Sequence, residues 1–148
     1  MTFDTLDDDK KQELPLLLLG DEQENMIDRY LERGTLYRLR HEGNTLCLCV
    51  VTDEGNGVWE IKNLAVLPSW QRRGLGRAMI EHVADAQKGF GRVLRVGTGA
   101  GTQNERFYLR CGFQRVGSIP HFFTTHYDHA IVEDGVLLDD MAIFERDL

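Results

Sequence analysis

The apolar positions of the chain fall into runs with two different periods. From Gly74 onward, Leu75, Ala78, Met79, Val83 and Ala86 recur at three- and four-residue steps, the spacing of a helix with one buried face, and Gly89 supplies a stop just past Lys88. Met26, Ile27, Tyr30 and Leu31 repeat that spacing in a helical stretch that begins near Leu14 and ends at Gly34. A shorter stretch, Gln103 to Cys111, carries Phe107, Tyr108 and Leu109 and closes at Gly112. Alternation with period two marks strands at Thr35 to Arg40 and Thr45 to Thr52, joined into a hairpin by Glu42-Gly43-Asn44. It also marks Val58 to Leu67, which Pro68 ends. Arg92 to Val96, Phe113 to Ile119 and Met141 to Phe144 are the later strands. Met1 to Gln12 is acidic and polar with no apolar period and reads as a frayed lead-in. Pro120 to Leu138 mixes aromatics, histidines and turn residues and reads as a functional loop.

Helices, then antiparallel strands, then one strand-helix-strand crossover and further strands predict an α+β fold around a mixed sheet. A chain of 148 residues, 42% hydrophobic and 28% charged, suits a single domain over 1–148. The longest strongly apolar run, Leu14 to Leu19, is too short to span a membrane and lacks the flanks of a signal peptide, so a soluble, cytoplasmic protein with no membrane partner is expected. Cys47 and Cys49 alternate with apolar neighbours, which points to packing rather than disulfides. A net charge of -7 disfavours nucleic acid as a partner and suits a cationic one. Against that background Arg72, Arg73 and Arg77 fall within six residues with no acid between them, which asks for a local anion.

Those arginines sit in Asn63-Leu64-Ala65-Val66-Leu67-Pro68-Ser69-Trp70-Gln71-Arg72-Arg73-Gly74-Leu75-Gly76-Arg77-Ala78, a strand, a tight loop and a helix start. Glycines let the backbone bring successive N–H groups close to a ligand, and at a helix N-terminus those groups have no intrahelical partner, so the place suits a pyrophosphate. Alone, Gly74-Leu75-Gly76 is a weak signal: no Gly-Lys-Ser/Thr follows, and Met79 stands where a dinucleotide fingerprint has its third glycine. Gln71 to Gly76, however, resembles the Q/R-x-x-G-x-G/A signature of the GCN5-related N-acetyltransferase family. Trp59 to Val66 looks like that family's fourth strand, and Phe107-Tyr108 with Cys111-Gly112-Phe113 looks like the end of its later helix. The resemblance covers roughly residues 35 to 119 in the family's order.

The resemblance implies a mostly antiparallel sheet, flanked by helices and splayed after its central strand, with acetyl-CoA as co-substrate and no metal. Leu64, Ala65 and Val66 would then wall the pantetheine arm, with the Val66 N–H holding the developing oxyanion. Gln71, Arg72, Arg73, Gly74, Leu75, Gly76 and Arg77 would hold the pyrophosphate. The family's asparagine about seven residues before the tyrosine falls at Gly101 here, leaving Asn104 as the nearest substitute. The acceptor would be a primary amine, which with a reference pKa of ~10.4 costs about 4 to 5 kcal/mol to deprotonate at neutral pH, at ~1.36 kcal/mol per unit. Glu60 is the expected proton acceptor, directly or through water, and Tyr108 the acid for the departing thiolate and a cofactor contact. Acidic residues before Gly34, such as Asp28 or Glu32, would attract a cationic acceptor, and since family members often dimerise the resemblance leaves a homodimer open.

Two rivals have their own residues. Arg92 to Gly101 looks like the strand and G-x-G-x-G turn of S-adenosylmethionine-dependent methyltransferases, but Arg95 stands where an acid is usual and only 47 residues follow. The plainer expectation is that Gly97, Gly99 and Gly101 form the loop into the next helix. A non-catalytic acetyl-CoA-binding module is the second rival, disfavoured by Tyr108. His126, Asp128 and His129 cluster without a strong zinc spacing, so they are expected to line the acceptor pocket rather than bind metal.

Overall fold

The structure, a computed structural model, describes residues 1–148. Its centre is β3 (Asn44–Asp53), whose side chains alternate between two cores: Cys47, Cys49 and Val51 pack on one face, Leu48 and Val50 on the other. The first face is covered by α3 (Leu75–Gln87) through Met79, Ile80 and Val83. The second is covered by α1 (Leu14–Gly20) and the turns after α2 (Glu24–Ile27), through Leu17, Ile27 and Leu31. The hairpin of β2 (Thr35–His41) with β3 forms as its turn signal predicts.

Seven strands lie in the order β1-β2-β3-β4-β5-β9-β6, where β1 is Thr2–Leu6, β4 Val58–Val66, β5 Val93–Gly99, β6 Gln114–Ile119 and β9 Met141–Asp147. All pairings are antiparallel except β4 with β5, which the α3 crossover connects. Between β5 and β6, α4 (Asn104–Arg110) packs beside α3, and its C-terminal turn closes on Gly112 (φ 87°).

Three expectations need correction. Met1 to Gln12 is not frayed: β1 pairs with β2 along its length, Phe3 stacks on His82 at 4.0 Å, and the buried Arg38 guanidinium bridges Asp4 (2.9 Å) and Glu13 (3.2 Å). Those partners lie far away in sequence, so no local period announced them. The helical stretch from Leu14 breaks after Gly20, where Asp21 turns extended (φ -153°, ψ 102°); a Cβ at Gly20 would lie 2.0 Å from Asn63 Oδ1, and past the break the Lys10 ammonium ties the carbonyls of Leu31, Glu32 and Gly34. Pro120 to Leu138 has structure of its own, with α5 (Phe122–His126) and a hairpin of β7 (Val132–Glu133) and β8 (Val136–Leu137). The three cysteines are free and buried, and burial pushes the Cys47 thiol up to about 12.

Candidate active site

Strands β4 and β5 pair only from Val58 with Val93 to Ile61 with Val96, then part. The cause lies in β4. Val50 faces Asn63 while Val51 faces Ile61, so Lys62 is an extra residue on β4, and such a bulge bends the strand that carries it. Past the bulge β4 keeps β3 as its neighbour but has none on the other side. The Leu67 N–H bonds to Leu46 at 2.8 Å, so the alternation of an antiparallel ladder turns the N–H and C=O of Val66 and Leu64 toward the open edge. The Gln71 side chain, donating to the Val66 carbonyl at 3.1 Å, lies on that edge.

One side of the opening is a groove of about 590 Å³, within the range of sites for large cofactors. Trp70, Gln71, Arg72 and Gly74 line it from the turn before α3, where Arg72 (φ 63°) and Gly74 (φ 81°) take left-handed conformations. The N–H groups from Arg72 through Arg77 donate to no backbone carbonyl, and no side chain caps α3, so this run of amides is free to bind an anion where Arg72, Gly74, Leu75, Gly76 and Arg77 line the groove. Gly76 brings the two helices together, since a Cβ would sit 3.2 Å from the Phe107 ring. Of the residues expected here, Leu64, Val66, Gln71, Arg72, Gly74, Leu75, Gly76, Arg77, Asn104 and Tyr108 line the groove. Arg73 and Ala65 do not: Arg73 lies over the Trp70 ring at 4.7 Å, and Ala65 packs against the α1 core with its backbone turned to β3. Phe107, three residues after Asn104, and Arg110, three after Phe107, line the groove too, a helical spacing that could have been read from the sequence.

On the other side lies a smaller cavity of about 110 Å³. Leu64, Asn104 and Tyr108 line both spaces and so mark their junction. Tyr108 is buried and packs edge-on against Phe113 (5.6 Å). Its hydroxyl has no protein hydrogen bond, yet it is not sealed, because Asn63 Oδ1 is the single buried side-chain polar atom without a partner. Burial, and then the proximity of Cys49, Cys111 and Glu133, raises its pKa above the tyrosine range.

Glu60, the expected proton acceptor, lines neither space; its carboxylate holds the Lys62 ammonium, with Glu54 3.9 Å from the same nitrogen. Glu60 stands opposite Thr52, whose hydroxyl donates to Glu54, and so belongs to a charged cluster of Glu54, Glu60 and Lys62. Asp28 is paired with Lys11 at 2.7 Å and Glu32 is exposed, and neither lines the cavity. Instead the cavity carries Glu133, a half-buried carboxylate of β7 that no sequence motif marked. Gly97 and Gly99 lie within β5 rather than in a loop, where a Cβ would strike Met141 Sδ at 2.4 Å and Leu138 Cδ2 at 2.6 Å. They make room for the cavity's apolar walls.

The histidine-rich loop does not converge as a ligand set. His129 bonds Glu22 (2.7 Å) and Asp128 (2.6 Å), while His126 packs on Phe122 at 4.7 Å. A different trio, His121, Asp139 and Asp140, brings its ligand atoms within 4.8 Å of one another on the surface. No helix is long and apolar enough to cross a membrane.

Residues 32–115 match the model of the acetyltransferase (GNAT) domain. The chain belongs to the GNAT acetyltransferase family. An uncharacterized N-acetyltransferase of Bacillus subtilis (strain 168), YvbK, is 34% identical over 136 residues, which cover 90% of this chain and 87% of YvbK. Among solved structures, a GNAT family acetyltransferase from Elizabethkingia anophelis with acetyl-CoA bound superposes with a TM-score of 0.93 at 28% identity, covering 99% of this chain and 97% of that one. An IAA acetyltransferase from Bacillus cereus ATCC 14579 gives 0.90 at 28%, with 99% of each chain covered. A Bacillus subtilis acetyltransferase in complex with CoA gives 0.88 at 29%, covering 99% and 97%. The GNAT match takes in the splayed β4, the arginine turn and α4, but ends before Phe123, Glu133, Leu138 and Met141, which line only the smaller cavity.

Proposed function

We propose that this GNAT chain, as one domain over 1–148, is an acetyl-CoA-dependent N-acetyltransferase that passes the acetyl group to a primary amine by direct attack. The observation that carries the reading is the Tyr108 hydroxyl, free of protein partners where the larger groove meets the smaller cavity. On this reading the open edge of β4 at Leu64 and Val66 receives the pantetheine arm, and the Val66 N–H holds the thioester oxygen as charge develops on it. The amides from Arg72 to Arg77, with the arginine side chains, hold the pyrophosphate, and Asn104 supplies a neutral polar group at the junction. Tyr108 gives its proton to the departing sulfur and is restored by a proton from the new amide nitrogen.

Because burial raises the Tyr108 pKa, the phenol keeps its proton through the whole neutral and mildly alkaline range, which is the state a general acid needs. The test is free-thiol release from acetyl-CoA with a panel of primary amines, in the wild-type chain and in Tyr108→Phe. Amine-dependent release that collapses in the variant, with acetyl-CoA affinity retained, is the expected result. Acetyl-CoA binding without release to any amine would instead mark a binding module.

A further inference from the structure

We propose that Glu133 seats the acceptor as its ammonium ion and takes the proton that frees the amine, and that the acceptor is a small primary amine on an apolar stem without a carboxylate. The proposal rests on the acetyl-transfer reading above.

Geometry places Glu133. The strand that carries it is rooted at Ile131 and Leu138, both buried and joined by the bond from the Leu138 N–H to the Ile131 carbonyl (2.8 Å). At the hairpin turn, the Asp134 carboxylate accepts from the Gln103 N–H at 3.2 Å, at the start of α4. The hairpin is thereby tied to the helix that holds Tyr108, and Glu133 lines the same cavity as the phenol. Its carboxylate is free of any ion pair and is not sealed from the cavity.

The charges around it select the acceptor. Lys62 is the only cation lining the cavity, and Glu60 and Glu54 already share it, so a substrate carboxylate would enter with no free cation to meet. Leu64, Val96, Phe123, Leu138 and Met141 give the cavity an apolar wall, and Asn63, Thr98 and Asn104 are its uncharged polar lining. A space of about 110 Å³ suits an amino group and a few carbons better than a large polycation.

Proton accounting closes. The ammonium gives one proton to Glu133, the free amine attacks the thioester carbon, and the carbon–sulfur bond breaks as the nitrogen–carbon bond forms. Tyr108 protonates the sulfur and recovers the second nitrogen proton; Glu133 returns the first to solvent. The titratable groups around Glu133 are Asp134 on its own turn, Glu22 from the α1–α2 loop, Lys62 on β4 and Tyr108 on α4. Burial first, then Asp134 and Glu22, raises its carboxyl toward neutrality, which suits a base that must later release its proton.

Calorimetry of n-pentylamine binding to the full chain saturated with CoA tests the seat. Binding at least tenfold weaker in Glu133→Gln is expected, with thermal midpoint and acetyl-CoA affinity unchanged, and norleucine, the same amine with a carboxylate added, at least tenfold weaker in the wild type. Equal n-pentylamine binding by wild type and Glu133→Gln, no binding by the wild type, or norleucine bound as well as n-pentylamine overturns the proposal. Thiol release tests the proton step: the rate of the wild type falls as pH drops through the raised Glu133 value, a limb that Glu60→Gln keeps and Glu133→Gln loses. If Glu60→Gln abolishes the limb instead, Glu133 is not the base. Glu133-dependent binding of n-pentylamine without any thiol release would sink the acetyl-transfer reading while leaving the ammonium seat in place.

Discussion

The groove and the cavity meet at Tyr108 but are built in opposite ways. Nearly all of the groove comes from one continuous stretch, Leu64 to Arg77, plus the single short helix α4, and its donors are mainly backbone amides. The cavity gathers Gly20, Lys62, Gly97, Phe123, Glu133 and Met141 from segments spread over most of the chain, and its chemistry is in side chains. A backbone-built site tolerates substitution of its neighbours because its donors do not depend on residue type. A side-chain-built site can change its ligand with one or two replacements. On the proposed reading the acyl donor lies on the groove side and the acceptor on the cavity side.

The largest expected effect lies at the junction itself. Tyr108→Phe should lower kcat by about 10²-fold or more, the low end of what a positioned acid contributes, with acetyl-CoA affinity within about twofold. Stopped-flow thiol detection under single-turnover conditions measures it, and an unchanged chemical step would show that the two sides do not share this residue.

Next in size is a substitution that should damage the cavity alone. Gly20→Ala puts a methyl 2.0 Å from Asn63 Oδ1 and 3.2 Å from the Leu64 carbonyl, so overpacking of about 1–3 kcal/mol is expected, read as a lower thermal midpoint and a raised amine KM. Acetyl-CoA affinity should move much less; an equal loss on both sides would mean the two sites are not separable.

The converse probe is Arg77→Ala. Loss of one charged contact in an open groove should weaken acetyl-CoA by about 1 kcal/mol, roughly fivefold, more at low salt than at high, and leave the amine KM alone.

The smallest effect tests how the cavity wall is fastened. Tyr127 donates to Asp21 at 2.6 Å and Tyr30 donates to the other oxygen at 2.8 Å, so α1 and α5 share one carboxylate. Burial already raises the Asp21 carboxyl, and Tyr127→Phe removes a bond that lowers it. The variant should lose about 1 kcal/mol in chemical denaturation and bind acetyl-CoA normally. With the folded-state Asp21 value pushed further up, its ionised form becomes less favourable, so the deficit should grow as pH rises through that value and shrink below it.

Legibility in the sequence follows the same division. The groove could be read because contiguous residues make it: Gln71 to Gly76 is a local turn, and α3 and α4 announce themselves by period. Tyr108 was legible for the same reason. Glu60 was read as the proton acceptor from its place on β4, but its carboxylate is held by Lys62 beside Glu54, a grouping that alternation along the strand does not announce. Glu133 was illegible because its importance depends on a bond from Gln103 to Asp134 that joins residues 31 apart. Strand β1 was missed for a like reason, since its partners are Arg38 and the rest of β2.

By itself the sequence determined the α+β order of elements, the hairpin and the glycine turn with its arginines, because each depends on forces between residues a few positions apart. Tertiary structure alone decided where β4 and β5 part, which carboxylate lines the cavity with Tyr108, and why Gly97 and Gly99 must lack side chains. Those outcomes depend on which distant groups exclude one another from the same space.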